Sequence, residues 1–423
     1  MLYYTFLTNL SCVSSTLDLE FLYESTDPIR RFVDCDIYQS KWGLWVFSEP
    51  AFLQSCIFMS MAKEDIIHER PISPKTLHNL QKTIALVKKS LASPDSRISV
   101  GDASVAVVAV LALVSCAIGD RDSAKAHIKG LEQMMRVRRR LHTPANLVQI
   151  GAVHGPTRSP DGPVRTSFSA AWGPLPSDLC ARETIEACFL VDLIYAVCTG
   201  AQNGLLTAYA AAYIPHICTL GVPARSGVCV DPTVFAPAAD PRVLSIFREF
   251  QFYAVTMNSV GGAQPRRSQY EYLKVHGSLQ SQLFALQGQF KIDDKRDGGV
   301  SECLRLALLT VLVTLFRFPG VKPGYGYLTS RFRECCQRMK VGNHMPSRNL
   351  MRWLLITGAN TVFDVSSMDE QWMWERWRDD VDPLDWKGTK ARLKEIMWMD
   401  ALPDSIGLHA YRLLNKYQGL VPA

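Results

Sequence analysis

The sequence predicts an all-α protein, a large irregular array of about a dozen helices with no sheet of consequence. Three observations lead there. Apolar residues recur three and four positions apart through most long segments, which is the period of a helix with one buried face. Two stretches, 105–118 and 306–316, are apolar nearly all round, as helices at the centre of a packed array are. Alternation with period two, the mark of a half-buried strand, is almost absent.

Taken in order, residues 1–34 carry no decisive pattern, and 35–423 read as one helical domain. A helix over 49–67 places Phe52, Leu53, Cys56, Ile57 and Met61 on one side. Ser73 and Pro74 restart the chain. Over 76–91, Leu77, Leu80, Ile84, Leu86, Val87 and Leu91 form a stripe that leaves Lys82, Lys88 and Lys89 outside it. Asp102 is placed to cap a buried helix over 103–118, because its carboxylate accepts from the first free amides. Gly119 suits the end of that helix, since glycine alone enters the left-handed region cheaply. Asp120 or Asp122 then caps a helix reaching about 139, with Ala124, Ile128, Leu131, Met134 and Met135 as its stripe. So short a connection makes the two helices antiparallel neighbours.

Proline and glycine mark a long loop over 141–179. Helices follow at 178–197 and near 205–212, then a second loop at 221–241. Further helices are expected at 243–257, 270–289 and 303–318, the last stopped by Pro319 and Pro323. A helix at 347–357 precedes Ser367 and Glu370, whose spacing is that of a capping box ahead of Trp372, Trp374 and Trp377. A final pair covers 388–399 and 405–416.

With 48% apolar and 20% charged residues among 423, the composition is ordinary for a globular chain with a large core. A net charge of +6 is small for that length and does not by itself indicate nucleic-acid binding. The 12 cysteines are scattered singly, apart from Cys335 and Cys336. A structural zinc site needs thiolates paired across tight turns, and no such spacing occurs, so reduced thiols in a reducing compartment are expected. The opening residues are apolar but lack a basic leader, and Thr8, Asn9 and Ser11 interrupt them; a signal peptide is not expected. The apolar runs fall short of the ~20 residues that span a bilayer. The expectation is a soluble intracellular chain.

One segment carries a resemblance. Asp102 and the apolar run after it, then Gly119-Asp120, then His127 with Gly130-Leu131, then Met134-Met135 and an arginine-rich end, resemble the central stretch of the fungal-specific transcription-factor domain. In that pattern the end reads Arg-Gly-Gly, whereas here Arg138-Arg139-Arg140 stands in place of the glycines. The later segments around Glu302, Trp353, Trp372 with Trp377, and Leu393 to Asp400 look like the later helices of the same domain. The resemblance covers roughly 35–415, discontinuously. It implies an all-helical regulatory region of a transcription factor, acting in the nucleus (the cytoplasm is the other location allowed). Its partners would be other proteins, such as transcription factors or a second copy of itself, and a small-molecule effector is compatible with it. The family's zinc-binding DNA-reading module has no counterpart in these residues. DNA contact is therefore expected only indirectly or through such a module, and no membrane contact is expected. A helical interaction scaffold without a transcriptional role is the main alternative, and an all-α enzyme a distant one.

The candidate site residues each have a plainer role beside the functional one. Asp120 and His127 lie close together, but a cap and a packed histidine account for them, and no nucleophile lies at motif spacing. Arg136, Arg138, Arg139 and Arg140, with Lys125 and Lys129, form a basic contact patch for phosphate or an acidic partner, or else a solvated helix end whose cations complement the helix dipole. Trp372, Trp374, Trp377, Trp386 and Trp398 suggest a ligand cage, or core packing. Asp379, Asp380 and Asp382 resemble an aspartate-rich magnesium motif, but the third acid is not one turn away and Pro383 follows at once. Phosphate-loop, dinucleotide-glycine, nucleophile-elbow and zinc-protease patterns are not found. No catalytic, cofactor-binding or metal residue is predicted, no cofactor is expected, and the chain reads as a non-enzyme.

Overall fold

The structure is a computed structural model, and it describes residues 33–34, 48–68, 70–142, 179–201, 229–259, 267–292, 299–315, 325–340, 347–400 and 404–418. Of these, 79% are helical, in about a dozen helices, so the fold is all-α as the periodicity predicts. The one exception among the described residues is a two-residue parallel pairing of Val33–Asp34 with Arg267–Ser268. The expected helix near 205–212 and both long loops lie outside the described residues, except for their edges.

The first half is built around one helix. Helices α1 (Pro50–Ile67) and α2 (Pro74–Leu91) both start with proline at a first-turn position, where the missing N–H costs nothing. Ser73 caps α2 by accepting from the Thr76 amide at 3.2 Å. The buried Asp65 carboxylate of α1 stitches the pair together, accepting from Thr76 Oγ1 at 2.6 Å and from the Ser73 amide at 2.8 Å. A short turn of helix, α3 (Ser96–Ser99), leads into α4 (Asp102–Ala117). Every residue from Ser104 to Ser115 of α4 is buried, against α1, α2 and α5 (Arg121–His142). The hairpin between α4 and α5 is made as the residues require. Gly119 sits at φ +80°, the Asp120 amide reaches back to the Ser115 carbonyl at 2.9 Å, and the Asp120 carboxylate accepts from the Ser123 amide at 3.0 Å. The stripe Ala124, Ile128, Leu131, Met134 and Met135 is buried as expected.

Helix α6 (Leu179–Thr199) has two working faces. Cys188, Val191 and Tyr195 enter the core around α4, whereas Leu193, Ala196, Val197 and Cys198 enter a second, larger core. That second core holds α7 (Pro232–Phe235), α8 (Pro241–Ser259), α9 (Gln269–Ala285), α10 (Val300–Leu315), α11 (Gly326–Arg338), α12 (Arg348–Thr361), α13 (Gln371–Asp380), α14 (Trp386–Ile396) and α15 (Asp404–Gln418). Helix α12 is buried from Leu350 to Thr361, and α10 is buried nearly as completely.

The described tryptophans belong to the second core, Trp386 only partly buried at its edge. Trp372, Trp374 and Trp377 are all buried, and each indole N–H has an acceptor: Glu370 at 2.6 Å, the Val365 carbonyl at 3.1 Å and Asn415 at 3.3 Å. Trp374 stacks on Tyr417 of α15 with ring centroids 4.6 Å apart. Ser367 does cap, accepting from the Asp369 amide at 3.2 Å, but it opens a 3₁₀ turn (Met368–Glu370). The expected return bond from Glu370 does not form, because Arg333 and Trp372 occupy that carboxylate.

Two glycines separate packing need from helix propensity. A Cβ at Gly130 would meet only Val108 Cγ1, at 4.0 Å, whereas one at Gly358 would lie 2.3 Å from the fully buried Phe363 ring, itself stacked on Phe332. Gly130→Ala is therefore expected to stabilise the protein by up to about 1 kcal/mol through helix propensity. Gly358→Ala is expected to cost about 1–3 kcal/mol through overpacking. Urea unfolding midpoints of the two variants check both signs.

Candidate functional site

The C-terminal end of α6 meets the start of α5 and the start of α11, and the three backbones come close because the residues there are small. At Gly200, φ is +73° and an added Cβ would lie 2.5 Å from the Tyr327 ring, so the ring packs directly on the main chain. A Cβ at Gly326 would lie 3.3 Å from Arg121 Nη2 and 3.5 Å from the Cys198 carbonyl oxygen. Thr199 turns its hydroxyl inward, donating to the Tyr195 carbonyl at 2.8 Å and accepting from the Ala201 amide at 3.1 Å. Between these elements lies an open cleft of about 340 Å³, lined by Arg121, Cys198, Thr199, Tyr327, Ser330, Arg331 and Glu334 together with Gly326.

Its charges are unevenly matched. Behind the cleft, Glu302 and Arg305 of α10 form a fully buried bidentate pair, with both contacts at 2.8 Å. Arg331 stands at 3.9 Å from Glu302 and 3.2 Å from Glu334, and Glu334 is also held by Arg338 at 3.1 Å. Arg121 is exposed and has no carboxylate partner among the described residues. Guanidinium groups outnumber carboxylates here, so the cleft favours an anion. Burial pushes the Cys198 thiol up to about 11, with Arg121 opposing only in part, so it is protonated at neutral pH. Among the described lining residues there is no histidine, and the one carboxylate, Glu334, is already doubly paired.

The residues singled out in sequence do not assemble into one site. Asp102 is the first residue of α4 and not its cap; Gly101 holds the cap position without a side-chain bond. The Asp102 carboxylate meets Arg138 at 2.7 Å instead, with both side chains about one-fifth exposed. Arg138 thus ties the far end of α5 back to the start of α4. Arg136 projects into solvent and, among the described residues, reaches Glu132 at 3.8 Å. The side chains of Arg139 and Arg140 lie outside the described residues. His127 is half-buried on α5, and burial holds it below the usual imidazole range while Asp120 opposes. Hydrogen bonds from Ser123 hold the Asp120 carboxyl below the usual range, as a cap should be. Asp379, Asp380 and Asp382 do not converge: they pair separately with Arg378 at 2.8 Å, Arg376 at 2.6 Å and Arg348 at 2.5 Å. No group of three or more metal-ligating side chains occurs among the described residues, and no described helix is long and apolar enough to cross a membrane.

With the fold and cleft in view, comparison with known proteins adds nothing: no family model, no curated protein and no solved structure matches this chain.

A second polar feature sits between α4, α5 and α6. Asp192 of α6 is 2% exposed, its Oδ2 has no hydrogen-bond partner among the described residues, and Cys188 lies one turn before it. Burial pushes its carboxyl well above the usual range, and Glu132 pushes the same way; the Asp102–Arg138 pair is the other charge close to Cys188. The folded state therefore holds a proton there that the unfolded chain releases near pH 4. Bound protons are more numerous in the folded state above that pH, so this group makes stability fall as pH rises from about 4 towards neutrality. Asp192→Asn keeps the shape without the ionisation. It is expected to raise stability at pH 7 and to flatten that decline, measured as urea midpoints across the pH range.

Proposed function

We propose that this chain is a regulatory protein of transcription, acting in the nucleus by protein–protein contact through its helical domain, with the cleft at the end of α6 as the place where a small effector acts. The observation that carries the reading is the position of the cleft. Arg121 belongs to the helix that closes the first core, whereas Tyr327, Ser330 and Arg331 belong to α11, which packs in the second. A molecule held between them has different contacts when the two halves shift, and differential contact is what lets a ligand bias a conformational equilibrium. The resemblance of residues 102–135 to the fungal-specific transcription-factor domain supports the transcriptional part. Those residues form the α4–α5 hairpin, with a glycine turn at Gly119 and an acidic cap at Asp120.

The test is chromatin occupancy of the tagged protein in its native host, paired with transcript sequencing of a deletion strain. Discrete promoter peaks over genes that change on deletion are expected. A cytoplasmic signal with no peaks would overturn the reading and leave a helical scaffold in its place.

A further inference from the structure

We propose that the cleft at the end of α6 binds a small organic anion, a compact apolar body bearing one carboxylate or phosphate, gripped between Arg121 and Arg331. This deepens the effector reading above and rests on it. A guanidinium presents parallel N–H donors that match two oxygens of such a group, and the two arginines enter the cleft from different helices. Arg121 has no competing carboxylate among the described residues. Arg331 has competitors that can release it at little cost. Glu302 keeps its bidentate bonds to Arg305, and Glu334 keeps Arg338, if Arg331 turns to a ligand.

The rest of the lining sets the size and character of the molecule. The volume of about 340 Å³ falls at the lower end of small-molecule sites, which excludes a nucleic-acid strand or a folded partner. The Tyr327 ring, laid on the Gly200 backbone, offers an apolar face, and the Ser330 hydroxyl offers one further hydrogen bond. The α6 carbonyl end at Cys198 lies near Arg121 and favours a cation there.

Isothermal titration calorimetry of the full chain with benzoate, inorganic phosphate and the neutral benzamide, at matched ionic strength, tests this. Benzoate or phosphate is expected to bind and benzamide is not; whichever anion binds more tightly identifies the carboxylate or the phosphate class. Arg121→Gln and Arg331→Gln are each expected to weaken binding by about tenfold or more, the loss of a charge-assisted pair. Arg121→Lys, which keeps the charge and loses the fork, should recover part of that loss. Arg121 is exposed, so its variants are expected to keep the wild-type circular dichroism and melting behaviour. Equal binding of benzamide, no binding of either anion, or anion binding unchanged in both glutamine variants would overturn the proposal. The measurement makes no use of promoters, so an anion site in a protein that never occupies chromatin would remove the transcriptional reading and leave this one standing.

Discussion

The architecture depends on α6 being buried on two sides at once. Residues three and four apart on a helix share a face, so Cys188, Val191 and Tyr195 point one way while Leu193, Ala196 and Val197 point another. Each set fills a different core. A helix with one apolar stripe packs on one neighbour; a helix apolar over most of its circumference must be enclosed. Enclosing α6 requires α4 and α5 on one side and α9, α10 and α11 on the other, so the two assemblies are joined through shared side chains. Ile194 contacts both cores.

Burying so much helix also buries polar groups, and the structure treats them unequally. The indole N–H groups on α12 and α13 find acceptors, Trp353 donating to the Met397 carbonyl at 2.6 Å. The Glu302–Arg305 pair is bidentate, which offsets much of the cost of removing two charges from water. Asp192 Oδ2 and the Trp398 indole nitrogen have no hydrogen-bond partner among the described residues. A fold that satisfies most of its buried polar atoms, yet leaves one carboxyl oxygen of its shared helix without a partner among the described residues, has a built-in sensitivity at that junction, the region the cleft also borders.

The helices with strong periodicity were legible from residues alone, and so was the α4–α5 turn, because Gly119 and Asp120 act through local backbone chemistry. Capping was read less well. Asp102 and Glu370 have cap-compatible side chains, but Arg138 in the first case and Arg333 with Trp372 in the second hold those carboxylates, the two arginines reaching them from more than 30 residues away. Helix α11 was not expected, although Leu328, Phe332 and Cys335 lie at helical spacing. The prolines before it and the charged residues between these positions hid a short amphipathic element. Since α11 supplies Tyr327, Ser330 and Arg331, the cleft was invisible for the same reason. Its residues come from three helices, and only the fold brings Arg121 next to Gly326.

If α6 couples the two cores, neither unfolds without the other. The direct measurement is a urea titration followed by hydrogen exchange and mass spectrometry, reading peptides from α4 in the first core and α10 in the second. Coincident midpoints for the two helices, moving together in Leu193→Ala, are the predicted result. Separate midpoints, with Leu193→Ala shifting only that of α10, would contradict the account and make the two halves independent units joined by a helix.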